Sequence, residues 1–206
     1  MNFSFGTNTA SSLAEVLAGC VGDVELVPPE HLPLWLPDLG VPRLWVATAP
    51  NGTVTRMLLR GIRSEERWDA CEVINLYRIA GAIPAPLVHE QIARTLRDSG
   101  ARAIQSHRVD VAAQYNVVAA QAAGLLSIKD GVLRCQYTDF AVNTASGGAL
   151  IEQIILVAGK AFPLLENELT ALSTELQRAL LASIDRASPS DARSQIPTSR
   201  PSQGEP

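Results

Sequence analysis

The residues able to do chemistry are few and scattered. There are three histidines, at 31, 89 and 107, and three cysteines, at 20, 71 and 135. His89-Glu90 opens like HExxH, in which two histidines one helical turn apart ligate zinc and the glutamate acts as general base. Ala93 stands where the second histidine is needed, so the pair reads as a solvated helix face. His107 shares a strand face with Val109 and Val111, which suits a half-buried structural histidine better than a catalytic base. His31 lies in a proline-rich stretch with no partner assignable. The cysteines are odd in number and lack CxxC or Cys–His spacing for zinc. They are expected to be reduced and mostly buried. No GxSxG, GxGxxG or Walker P-loop occurs, and Ser146 beside Gly147-Gly148 is a hydroxyl without a base. Glu65-Glu66 and Asp69 read as a solvated acidic face, and Tyr137, Asp139 and Phe140 as core and turn residues. The expectation is no catalytic residue, no metal and no cofactor.

What remains is a candidate interaction surface. Arg56, Arg60, Arg63 and Arg67 are spaced 4, 3 and 4, with only Trp68 as a neighbouring aromatic. Nucleic-acid binding wants a basic surface with interleaved aromatics, and the overall charge of −4 opposes it. A solvated face, or a contact with an acidic protein segment, fits better. Trp35 and Trp45 flank the apolar, proline-rich HLPLWLPDLG at 31–40, which either packs on the body of the protein or docks a partner.

These residues need elements to hold them. Ser11 to Ala18 suits a short capped helix, and Val24 to Val27 a short strand. Arg43 to Thr48 and Thr53 to Ile62 form a hairpin across Pro50-Asn51-Gly52; the arginine spacing would also suit a helix, with Gly61 arguing against it. Glu72 to Ala80 is a strand with Val73, Asn75, Tyr77 and Ile79 on one side. Pro84 and Pro86 open a helix to Asp98, with Val88, Ile92 and Leu96 inward and Gly100 after its end. Strands follow over 103–111, 117–128 and 132–142, the last two joined by the turn signal Lys129-Asp130-Gly131. Ala149 to Ala158 is a largely buried closing strand, with Glu152 and Gln153 placed where it meets solvent. Leu165, Leu169, Leu172, Leu176 and Leu180 then mark one face of a long helix after Pro163. The order predicts an α+β fold: an antiparallel β-sheet sandwich with one mid-chain helix and a long C-terminal helix packed on the sheet.

That arrangement resembles the Mog1/PsbP-like fold, in particular its actinobacterial LpqN-type members. The likeness is carried by DVELVPPEH at 23–31, the helix at 85–98, RVDVAAQYNVVAAQAAGLLSIKDGVLRCQYTDFAV at 108–142, and the strand and helix at 149–184. It implies a mostly non-enzymatic protein acting through protein partners or at the cell envelope.

Composition sets the outer limits. The chain has 206 residues, 47% of them hydrophobic and 18% charged, enough to fold as an ordinary domain. Fifteen of seventeen basic residues are arginine, the coding habit of a GC-rich genome such as an actinobacterium's. Residues 1–42 carry five acids and no Lys or Arg, residues 43–134 a net +4, and residues 135–206 a net −3. Leu17-Ala18-Gly19-Cys20 matches a lipobox, but no basic residue precedes it and Glu15 interrupts the apolar stretch. No apolar run reaches a membrane span. The expected organisation is an arm with a short helix over 1–22, one α+β domain over 23–186, and a disordered Ser/Pro-rich tail over 187–206. The expected location is the cytoplasm by default, with envelope association or export by another route as the alternative. The expected role is a non-catalytic interaction or scaffold domain with a protein partner or a second copy. A binder of an apolar small molecule or lipid between sheet and helix is the alternative, and an enzyme of unrecognised type comes after it.

Overall fold

A computed structural model describes residues 12–48, 54–62, 68–129, 131–144 and 147–187. Eight strands form one antiparallel sheet. They are β1 (Val24–Leu26), β2 (Trp45–Ala47), β3 (Arg56–Arg60), β4 (Ala70–Ile79), β5 (Arg102–Arg108), β6 (Val117–Ile128), β7 (Gly131–Thr144) and β8 (Gly147–Ala158). The order across the sheet is β2-β3-β4-β8-β7-β6-β5, and β1 pairs with the end of β4. Three helices complete it: α1 (Leu13–Cys20), α2 (Ala85–Asp98) and α3 (Phe162–Ala187).

The last strand in sequence is central in space. β8 pairs with β4 from Gly148 to Val157 and with β7 along its whole length. A strand flanked on both sides satisfies its backbone in the sheet, and helices then cover both of its faces. Alternate side chains therefore point into two different cores. Leu150 and Leu156 lie with Cys71, Ile79 and Cys135 beneath α1 and α2. Ile151, Ile155 and Val157 face the other way, beneath α3 and the proline-rich arm. The layers are helix, a single open sheet, helix, rather than two facing sheets.

Local chemistry explains the helices. Ser12 caps α1 in a capping box: its hydroxyl accepts from the Glu15 N–H, and the Glu15 carboxylate accepts from the Ser12 N–H. Leu13, Ala14 and Leu17 belong to the same core as the sheet, so α1 is an integral part of the body. α2 begins after Pro84 and buries Val88, Ile92 and Leu96. α3 buries the five leucines of its heptad-like stripe. Each contributes roughly 1.5–3 kcal/mol by leaving water.

Several expectations change in the sheet. Residues 56–60 are a strand, and Gly61, at φ +67, turns the chain out of it. The hairpin turn at 50–52, residues 145–146 between β7 and β8, and the tail beyond 187 lie outside the described residues. Glu152 and Gln153 do not meet solvent: they are 5% and 1% exposed, because β8 is interior to the sheet and covered on both faces. His107 is exposed rather than half-buried, because β5 is an edge strand whose side chains mostly face water. Cys71 and Cys135 are buried, whereas Cys20 ends α1 in solvent.

Leu176 is fully buried against the sheet. Leu176→Ala is expected to lower the unfolding free energy by roughly 2–5 kcal/mol. Urea unfolding monitored by circular dichroism checks this, and a loss below about 1 kcal/mol would show that α3 is not held by its leucine stripe.

Candidate functional site

Strand alternation sends Arg56, Leu58 and Arg60 of β3 toward α3, opposite Ile74, Glu72 and Ala70 of β4. Trp45, the cross-strand neighbour of Arg60, points the same way and is buried. Its indole N–H donates to Glu168 Oε2 of α3 at 2.9 Å, and Arg60 Nε donates to the same oxygen at 3.3 Å. One carboxylate thus ties the edge hairpin to α3. Trp35 is also buried, with Leu36 and Phe140, on the α3 side. The proline-rich arm packs on the sheet, and neither tryptophan is presented to solvent. Arg63 and Arg67 lie outside the described residues. The structure therefore brings together three of the six surface candidates, Trp45, Arg56 and Arg60.

Arg56 does two jobs. Its Nη2 donates to the Gly40 carbonyl at 2.7 Å and its Nη1 reaches the Leu36 carbonyl at 3.5 Å, which fastens the arm. Its Nε faces Glu72 Oε2 at 3.6 Å, too long for a hydrogen bond. Glu72 is 1% exposed and accepts instead from Gln153 Nε2, at 2.7 Å on Oε1. Burial pushes the Glu72 carboxyl up, against the pull of Gln153 and Arg56, and burial lowers the Arg56 guanidinium. The result is an ion pair on the floor of an open space.

That space is the candidate site. A cavity of about 450 Å³ lies between the arm, the β3–β4 pair and α3. Leu39, Pro42, Leu44 and Leu172 form apolar walls, Arg56 and Glu72 the floor, and Glu168 and Glu175 the α3 rim. Leu44 stands at its mouth, 62% exposed and at φ +71. A leucine in left-handed backbone is strained by its Cβ, and such residues concentrate where ligands bind.

A second polar group sits on the opposite face. Asn75, Glu152 and Asp139 are consecutive cross-strand partners on β4, β8 and β7, all buried beneath α1 and α2. The Ala14 N–H of α1 donates to Glu152 Oε1 at 3.3 Å, and Tyr77 and Asn75 also hydrogen-bond that carboxyl. Burial pushes Glu152 up to about 7 and Asp139 well above its ordinary value, each reinforced by nearby negative charge. Sequence reading missed both polar groups, since only the register sets 139 opposite 152 and brings 153 diagonally across from 72. The signal available was a Glu-Gln pair inside an otherwise apolar strand.

The remaining chemistry is dispersed. His89 is half-buried on α2 and His31 is exposed. Burial raises the Cys71 thiol to about 12 and the Cys135 thiol to about 11, which suppresses their thiolates. Among the described residues no three His, Cys, Asp or Glu side chains gather as for a metal ion.

The two ion pairs should differ in worth. Arg56→Ala strands a buried carboxyl and releases the arm, an expected cost of roughly 3–5 kcal/mol. Arg60→Ala breaks a half-exposed pair, an expected cost under about 1 kcal/mol. Chemical unfolding of both variants tests this contrast, and equal losses would overturn it.

No family model matches the chain, and no curated protein does. Among solved structures it is similar to LpqN of Mycobacterium tuberculosis, with a TM-score of 0.58 at 13% identity over 81% of this chain and 95% of that one. A looser overlap, TM-score 0.43 at 13% identity, joins it to the cyanobacterial PsbP of Synechocystis sp. PCC 6803, over 65% of this chain and 81% of that one. The eight-stranded antiparallel sheet with its long C-terminal helix is the Mog1/PsbP-like α+β fold.

Proposed function

We propose that this chain is a non-catalytic binding domain whose ligand, a small apolar molecule or a lipid chain, seats between the sheet and α3. The observation that carries this reading is the cavity of about 450 Å³, within the size range of small-molecule sites, half of whose lining residues are apolar: Leu39, Pro42, Leu44, Ala171 and Leu172. Four of its five charged lining residues are matched within the protein: Arg56 faces Glu72, Arg60 and Trp45 hold Glu168, and Arg178 holds Glu175, while Arg43 is exposed. They frame the site without leaving an obvious acid or base for chemistry. The suppressed thiolates and the enclosed Asp139–Glu152 group support a binding role over a catalytic one. The solved neighbour LpqN is described as involved in cell envelope biogenesis. No helix among the described residues is long and apolar enough to cross a membrane.

A protein partner is the second reading. Leu34, Val41, Leu44, Val46 and Ile62 are all about half exposed or more, on the arm, the edge strand β2 and the residues after β3. A short edge strand with exposed apolar neighbours is suited to a protein contact.

The neutral fluorophore N-phenyl-1-naphthylamine tests the first reading. It is expected to bind one-to-one with enhanced emission. Ala171, exposed on α3 at the cavity wall, can be enlarged without touching the core. Ala171→Trp is expected to abolish the signal while leaving the melting temperature unchanged. Equal emission from both proteins would sink the cavity reading.

A further inference from the structure

Asp139 and Glu152 lie directly opposite each other on β7 and β8, on the same face of the sheet, 4% and 5% exposed. Two carboxylates so placed repel, and burial removes the water that would screen them. Among the described residues no arginine, lysine or histidine pairs with either one. The titratable groups nearby are Glu15 on α1, Tyr77 on β4, and Cys135 and Tyr137 on β7. All are neutral or negative, so none can hold a second charge. No titratable group of α2 acts on the pair.

The element fastened to this group is α1. Its capping box uses the Glu15 N–H, which leaves the Ala14 N–H to donate to Glu152 Oε1. Beyond that bond, α1 is held by three buried side chains, Leu13, Ala14 and Leu17. An eight-residue helix with so few anchors belongs to the part of a fold that opens at low free-energy cost. α3, by contrast, runs for 26 residues on the opposite face.

We propose that α1 is a proton-dependent latch: it stays docked while the Asp139–Glu152 pair keeps a proton, and it releases when both carboxyls are ionised. Linkage sets the sign. Burial, which outweighs the Ala14 N–H bond that favours ionised Glu152, gives both carboxyls a higher proton affinity with α1 docked than with α1 released and the pair hydrated. The docked state therefore binds more protons, and its advantage falls as pH rises from the ordinary carboxyl range through the docked values. Acid closes the latch and alkali opens it. Opening bares the pair and the sheet surface around Ile79 and Leu150, which α1 and α2 share as a core.

Hydrogen exchange with mass spectrometry on the full chain tests this. Protection factors, corrected for intrinsic exchange, are compared for peptides spanning 12–22 and 162–187. Between about pH 6 and about pH 8.5 the α1 peptide is expected to lose about tenfold in protection relative to α3. Asp139→Asn and Glu152→Gln, which remove one charge each at constant shape, are expected to abolish that relative loss. Parallel pH profiles for α1 and α3 in the unaltered chain would overturn the proposal, and this comparison needs no variant to fold. So would a pH-dependent α1 that persists in both amide variants.

Discussion

The placement of β8 between β4 and β7 is the constraint from which the rest follows. Ten residues from Gly148 to Val157 pair on both sides at once, so that stretch of backbone is spent entirely within the sheet. A central antiparallel strand can leave one face wet, but β8 carries apolar side chains on both: Leu150 and Leu156 one way, Ile151, Ile155 and Val157 the other. Both faces must then be roofed. α1 and α2 roof one, α3 and the proline-rich arm the other. The cavity exists because the second roof is made of two pieces, an irregular arm and a straight helix, that meet over β3 and β4 without closing.

Polar residues inside such a frame need internal partners. Under α3, Glu72 is met by Gln153 and Arg56, and the same arginine gives its remaining donors to arm carbonyls. Holding the arm and neutralising the buried acid are thus one interaction. Under α1, the answer is different. No cation pairs with Asp139 or Glu152 among the described residues; burial pushes both carboxyls up, and Ala14 and Tyr77 hydrogen-bond Glu152.

The sequence was most readable where periodicity is long. The leucine stripe at 165–180 and the helix between Pro84 and Gly100 fall where the pattern places them, because 3.6-residue repeats and prolines act locally. The strand order could be listed, but not the arrangement across the sheet, since pairing β4 with β8 joins residues some eighty positions apart. The same limit hid the polar groups. Glu152 looked like a strand end meeting solvent because its neighbours 139 and 75 are remote in sequence. Trp45 and Arg60 were picked out singly, and only the β2–β3 register and Glu168 of α3 join them. The cavity itself left no mark in the sequence beyond an arm too apolar for a surface loop.

Glu152 and Gln153 are adjacent residues that face opposite cores, and each has partners only on its own side. Sliding β8 by one position would carry the glutamate toward Arg56 and Glu72, and the glutamine toward Asp139 and Ala14. Two acids would then meet beneath α3, and a core amide would replace the proton-bearing carboxyl beneath α1. Apolar neighbours such as Ile151, Ile154 and Ile155 could exchange sides at little loss, so they do not by themselves fix the alignment. The Glu-Gln dipeptide does. Two polar residues in the middle of the most apolar strand act as a key that lets β8 enter the sheet in one alignment only.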